Sequence, residues 1–329
     1  MNEFRIPLGE WAENVVDVIT DVFGGFFAVL RAIFAALYDA VDLVLATPPF
    51  WAVIVVAVAL AFFVRGWKFA LGSAVGFLLI VGVDQWDNAM DTLALVLVAS
   101  AIAIAISVPV GILAARSDTA SKIIKPILDF MQTMPAFVYL IPALILFRVG
   151  VVPGIVATII FAMAPGVRLT ELGIRGVDKE VVEAGQAFGA SPGRILRQIQ
   201  LPLALPSISA GINQVIMLSL SMVVIAGLVG AGGLGAEVVA SLGRVDVGLG
   251  FEAGLAVVIL AIFLDRLTAS FGTRRARRPS RTERAADAAA SAPASAPLPP
   301  ASVSDARASD SRAATTSADA TPARTPASR

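Results

Sequence analysis

Few residues in this chain have a type and spacing that could do chemistry. The run Gly230-Ala231-Gly232-Gly233-Leu234-Gly235 fits G-x-G-x-x-G, a pattern that cradles a dinucleotide pyrophosphate where a strand turns into a helix. Here it follows a strongly apolar segment with no strand–helix–strand unit around it, so it predicts a turn or a close approach of helices. Asp129, Glu171 and Asp265 would suit a proton or sodium relay at the middle of a membrane, yet all three fall near the ends of apolar segments. Asn213 and Gln214 lie inside one such segment, where they would either face a polar pathway or hydrogen-bond to a neighbouring helix. Phe137 and Tyr139 have faces for cation–π contact with a quaternary ammonium. Two aromatics in an apolar segment pack equally well, and no substrate site is assigned to them.

The missing residue types exclude more. Cysteine and histidine are both absent, which removes thiolate chemistry, the commonest metal ligands and the commonest general base. No glycine is followed by lysine, so no G-x4-G-K-[ST] phosphate loop exists. The chain is expected to have no catalytic residues, no metal and no cofactor of its own, and no nucleic-acid partner.

The elements that must position these residues are membrane helices. A composition of 57% hydrophobic and 15% charged residues, with mean hydropathy +0.83, describes a polytopic membrane protein in contact with lipid. Seven apolar segments stand at roughly 50–64, 69–83, 91–114, 126–148, 151–170, 203–230 and 251–272. A straight span needs about 20 residues, and the first two fall short of that, as a hairpin of spans or a re-entrant pair would. Pro109, Pro135, Pro142, Pro165 and Pro206 predict kinks inside the others. Ahead of them, residues 1–49 form an N-terminal segment in which Val15, Val18, Val22, Phe26 and Val29 recur at helical steps. Glu13, Asp17 and Asp21 between them exclude a span and predict an amphipathic helix lying in the interface or packed on other helices. No basic region followed by an apolar core opens the chain, so no cleaved signal peptide is expected. Residues 273–329 are rich in Ala, Ser and Pro and predict a disordered tail. The fold class is all-α: a polytopic helix bundle of about seven spans plus the N-terminal amphipathic helix.

Charge sets the orientation. All four lysines (Lys68, Lys122, Lys125 and Lys179) fall in the connections 65–68, 115–125 and 171–202, with Arg65, Arg116, Arg175, Arg194 and Arg197. The opposite connections carry Asp84, Asp87, Asp91, Glu237 and Asp246 against Arg148 and Arg244. Positive residues stay in the cytoplasm. The loop 171–202 and the C-terminus are therefore expected inside, residue 50 and the N-terminus outside.

Within 171–202 lies a polar stretch, VDKEVVEAGQAFGASPGRILRQIQLP, that interrupts a chain otherwise nearly all membrane-spanning. Asp178 suits an N-cap, Gly189 a left-handed helix end, and Ser191-Pro192 a restart. Val181, Ala184 and Phe188 share one face of the first helix, and Ile195, Leu196 and Ile199 form a second apolar strip. Two short amphipathic helices joined by a tight glycine turn would make a rigid knob with an apolar docking surface. The simpler alternative is a surface loop with incidental helicity.

Glu183-Ala184-Gly185, Gly189, Ile199, Leu201 and Pro202 stand at the spacing E-A-A/G-x3-G-x9-I-x-L-P, which resembles the cytoplasmic coupling loop of ABC importer permeases. QTMPAFVYLIPALILFRVGVVPG (132–154), FAMAPGVRLTELGIRGV (161–177) and LSMVVIAGLVGAGGLG (220–235) resemble the permease subunits of glycine betaine/proline importers, a family that includes choline and carnitine systems. The resemblance covers most of 90–270. It implies a permease homodimer in a bacterial inner membrane, an extracytoplasmic substrate-binding protein, and a separate ABC ATPase that carries the ATP and magnesium. It also implies that Glu183, Ala184, Gly185 and Gly189 meet the ATPase. Gly185 stands where the pattern prefers alanine, a mild departure. The rival is an ion-coupled secondary transporter of a small polar solute, which would call for intramembrane acids or broken-helix ion sites in repeated halves. A non-transport scaffold would have no reason to carry the loop.

Overall fold

The computed structural model describes residues 7–273; the expected tail lies outside the described residues. Every regular element among them is helical. The chain begins with α1 (Leu8–Ala46), ended by Pro48-Pro49 and followed by the hairpin of α2 (Phe50–Arg65) and α3 (Trp67–Gly82). Gly66, at φ +88°, makes the reversal between those two.

Three helices form the centre: α4 (Trp86–Arg116), α7 (Val151–Arg175) and α10 (Leu201–Ser221). Their seam is lined by small and branched residues, with Ala99, Ala103, Ile155, Ala162 and Val215 wholly buried. Close approach depends on glycine. A Cβ built on Gly111 of α4 would lie 2.6 Å from the Cβ of Thr170, and one on Gly173 of α7 would lie 2.7 Å from the Cβ of Ser207. In lipid, where apolar side chains gain little by leaving solvent, such close packing is what drives helices together. The last helix, α13 (Val247–Thr273), packs on α10 and α12 (Gly233–Arg244).

Two expectations meet a different outcome. Segment 126–148 is not one straight helix: α5 (Asp118–Thr133) and α6 (Ala136–Phe147) meet at 97°. Met134 is extended ahead of Pro135, the conformation proline imposes on the residue before it. Segment 203–230 holds to Gly227: a single turn at Met222 separates α10 from the short α11 (Val223–Gly227) within one helical stretch. Helix α1 is unbroken for 39 residues and contains a stretch long and apolar enough to cross a membrane. Its acids lie toward the two ends, Glu10, Glu13, Asp17 and Asp21 at the start and Asp39 and Asp42 near the finish, while Phe23, Phe26, Val29, Ile33 and Leu37 stand exposed between them. By length and composition, five helices among the described residues could cross, or six if the bent pair counts as one; α2 and α3 are shorter apolar helices.

The glycine run is a close approach of backbones. Gly230, Gly232 and Gly233 have φ of +81°, +75° and +67°. They turn α11 back into α12, and the Leu234 N–H donates to the Thr92 hydroxyl on α4 at 2.8 Å. A side chain from α4 thus caps the first turn of α12.

Candidate functional site: the loop between α7 and α10

Helix α8 (Lys179–Ala187) forms because both its ends are satisfied locally. The Asp178 carboxylate accepts the Glu180 N–H at 2.9 Å, quieting one orphan donor and opposing the helix dipole. At the other end Gly189, at φ +77°, donates to the Gln186 carbonyl at 2.8 Å, and Ala190 donates to Gly185 at 3.1 Å. This pair of bonds is the Schellman closure, which needs a left-handed residue where Gly189 stands.

Ser191 then starts α9 (Pro192–Ile195), its carbonyl accepting from Arg194 and Ile195 at 2.9 and 3.0 Å. The second helix of the loop is not separate. It runs through a π-helical turn at Leu196–Gln200 straight into α10, one helical rod from Pro192 to Gly227. The expectation of two short helices joined by a glycine turn is corrected to one short helix, α8, leaning on the first turns of a long one.

The motif residues divide by where they point. Gly185 faces inward: a Cβ built there would lie 2.7 Å from Ile199 Cδ1 and 3.7 Å from Ile195 Cγ1. Ile199 and Leu201 are half-buried, and Leu201 packs beside the buried cluster of Ile174, Ala204 and Ile208. Glu183, Ala184, Gly189 and Pro202 are exposed. The strip Val181–Ala184–Phe188 is left uncovered by this chain, and Phe188 at its end is 92% exposed. On the bundle side, a cleft of about 250 Å³, lined by Ala115, Ile174, Val182, Gln186 and Gln200, separates α8 from the ends of α4 and α7.

The residues that anchor the loop were not read from the sequence as its anchors. Glu171, only 4% exposed, accepts from the Ser121 hydroxyl at 2.7 Å and pairs with Lys125 at 3.1 Å and Arg175 at 3.0 Å. Arg175 also reaches Asp118 at 2.7 Å and the Ala114 carbonyl at 2.8 Å. Its hydrogen bond holds the Asp118 carboxyl below the usual carboxylate range. A buried carboxylate is tolerated only when paired and hydrogen-bonded, and here the pairing ties the last turn of α7 to α4 and α5. The available signal was the i, i+4 spacing of Glu171 and Arg175.

The two candidate pathway residues separate. The Asn213 amide donates to Asp265 at 3.0 Å, and its oxygen accepts from the Thr268 hydroxyl, tying α10 to α13. Gln214 is exposed, on the uncovered side of α10 that also carries Pro206, Ala210 and Ser221.

Known proteins share this arrangement. Residues 107–277 match the family described as binding-protein-dependent transport system inner membrane component. The chain is 50% identical over 273 residues to the glycine betaine/carnitine transport permease protein GbuB of Listeria monocytogenes, covering 82% of this chain and 96% of that one. It is 47% identical to the glycine betaine transport system permease protein OpuAB of Bacillus subtilis, over 83% of this chain and 97% of the other. To the glycine betaine/proline betaine permease protein ProW of Escherichia coli it is 45% identical, over 81% of this chain and 75% of the other. In fold it is similar to an inward-facing structure of the MetNI methionine ABC transporter, with a TM-score of 0.53 at 21% identity over 57% of this chain and 94% of that one. With a family match over residues 107–277 and half-identical relatives along most of its length, the chain belongs to the binding-protein-dependent transport system inner membrane components.

Proposed function

We propose that this chain is the membrane-spanning subunit of an ATP-driven importer for a compatible solute of the glycine betaine, carnitine or proline betaine kind. The substrate class rests on the functions of the relatives. The coupling mechanism rests on one observation: a capped, rigid helix, α8, offers an uncovered apolar strip ending in Phe188. A side chain that exposed on a polar loop is a docking group awaiting a partner. A separate ABC ATPase takes Val181, Glu183, Ala184 and Phe188. Closure of the ATPases on ATP then moves α8, and α10 with it. ATP and magnesium are held by that partner.

The lysines and arginines around 65–68, 115–125 and 171–202 support an orientation with α8 in the cytoplasm and residue 50 outside. On this reading α2 and α3 cross as a hairpin, seven spans lie between residues 50 and 272, and a binding protein delivers solute to the outer face. A second copy of the chain covers the exposed side of α10, where Gln214 borders the pathway between the two copies.

Uptake into vesicles holding the complete importer decides the matter. Solute should enter only with ATP on the side of the ATPase and should continue after ion gradients are collapsed. Uptake that follows the gradients and ignores ATP would make the chain a secondary transporter instead.

A further inference from the structure

The two ends of the loop are built differently. At its entrance, the last turn of α7 is held by Glu171 and Arg175 to Ser121, Lys125 and Asp118 and to the Ala114 carbonyl. At its exit, the helix passes through the π turn of Leu196–Gln200. The Leu201 N–H donates to the carbonyl of Leu196, five residues back. Pro202 follows with no N–H, so the Gln198 carbonyl lacks its α-helical donor. A π turn inside an α-helix is a local widening where the hydrogen-bond ladder changes register, and helices bend there most readily.

We infer that the Ile199-Gln200-Leu201-Pro202 part of the motif is a hinge: α8 pivots on the π turn and steers α10, while the α7 end of the loop stays clamped. Pro202 is a positioning residue in this device and does not touch the ATPase. The inference rests on the reading of α8 as the ATPase-coupling helix.

Three observations carry it. First, α8 packs on α9 and the π turn. At Gly185 a Cβ would lie 2.7 Å from the Ile199 side chain, inside the π turn itself. A push on α8 is therefore delivered directly to the weakest point of the rod. Second, the cleft beside α8, about 250 Å³ between it and the ends of α4 and α7, leaves room for that push. Third, the rod beyond the hinge is α10, which packs against α4, α7 and α13 at the centre of the bundle. Rotation of α10 relative to α7 moves the uncovered side that carries Gln214.

Pro202→Ala tests this in the complete importer, reconstituted with its ATPase and binding protein. The new N–H can bond the Gln198 carbonyl and favours an α-helical register. Alanine is also the best helix former, so the variant should fold. The ATPase should co-purify as it does with the unaltered chain, and transport per ATP hydrolysed should fall several-fold. Because the chain has no cysteine, spin labels can be placed on introduced pairs. The Gln186→Cys/Ala115→Cys distance should change on adding ATP, and should change less in the Pro202→Ala background. The Lys122→Cys/Leu172→Cys distance, across the clamped end, should stay constant. Unaltered stoichiometry in Pro202→Ala, loss of the ATPase from it, or equal movement at both ends would each overturn the hinge. Glu183→Lys is the separate control: if the ATPase still binds that variant fully, the coupling reading itself is wrong, whatever Pro202 does.

Discussion

Gly185 rests on Ile199. A Cβ at residue 185 would come within 2.7 Å of the Ile199 Cδ1 atom, so the two motif positions, fourteen residues apart, are one contact. The spacing of the motif is thus the length of chain needed to leave α8, turn at Gly189, and return beneath it.

Gly185→Ala should be tolerated, because the atom it meets is the free end of a flexible side chain and alanine gains about 1 kcal/mol over glycine in a helix. Gly185→Leu has no such escape and should lift α8 off the π turn. Its expected signature is a normal membrane level with lost transport, partly restored by adding Ile199→Ala. Immunoblots and uptake assays on the three variants check the order.

Phe188→Ala should leave thermal stability within about 0.5 kcal/mol, as surface substitutions usually do. Binding of the ATPase should weaken by about 2 kcal/mol, roughly 30-fold, as expected when an aromatic anchor is lost from an interface. Titration of detergent-solubilised permease with the ATPase measures it. An unchanged affinity would move the docking surface away from this strip.

Glu171→Gln should destabilise the bundle by about 1–3 kcal/mol. That is less than the 3–5 typical of breaking a fully buried pair, because Lys125 and Arg175 are partly exposed and solvent screens them. Asp118→Asn, at the fully exposed partner, should shift the melting temperature far less. A thermal melt of the two purified variants ranks them.

Asn213→Leu should cost about 1 kcal/mol, the usual scale of an interhelical hydrogen bond in lipid, with the apparent affinity for solute unchanged. Gln214→Leu, with its side chain exposed, should do the reverse: stability is kept and transport falls. Melting temperatures set beside uptake kinetics separate the two.

Much of the site was legible because its signals are local. Asp178, Gly189 and Ser191-Pro192 mark the ends of α8 and α9 through capping chemistry written in adjacent residues. The spans were legible through their continuous apolarity. What escaped the sequence depends on contacts between distant segments or on the geometry of a proline. Pro135 was expected to kink a span, yet the 97° it introduces divides α5 from α6 altogether. Helix α12 was read as part of an outer connection. Its Leu234–Val238 step was available, but the Thr92 cap that starts it comes from another helix. The π turn leaves no pattern in side-chain polarity, since Leu196 and Ile199 fit an α-helical strip equally well. Asn213 and Gln214 are neighbours in sequence, and only the position of α13 shows that one is occupied and the other free to face outward.

The Thr92 hydroxyl that receives Leu234 is made 142 residues before its partner. Since a nascent chain emerges from its amino end, α4 is made with that oxygen still awaiting its donor until residue 234 of 329 has been translated. A chain cut short before residue 234 would leave Thr92 without this partner, although α8 and both its caps are already in place.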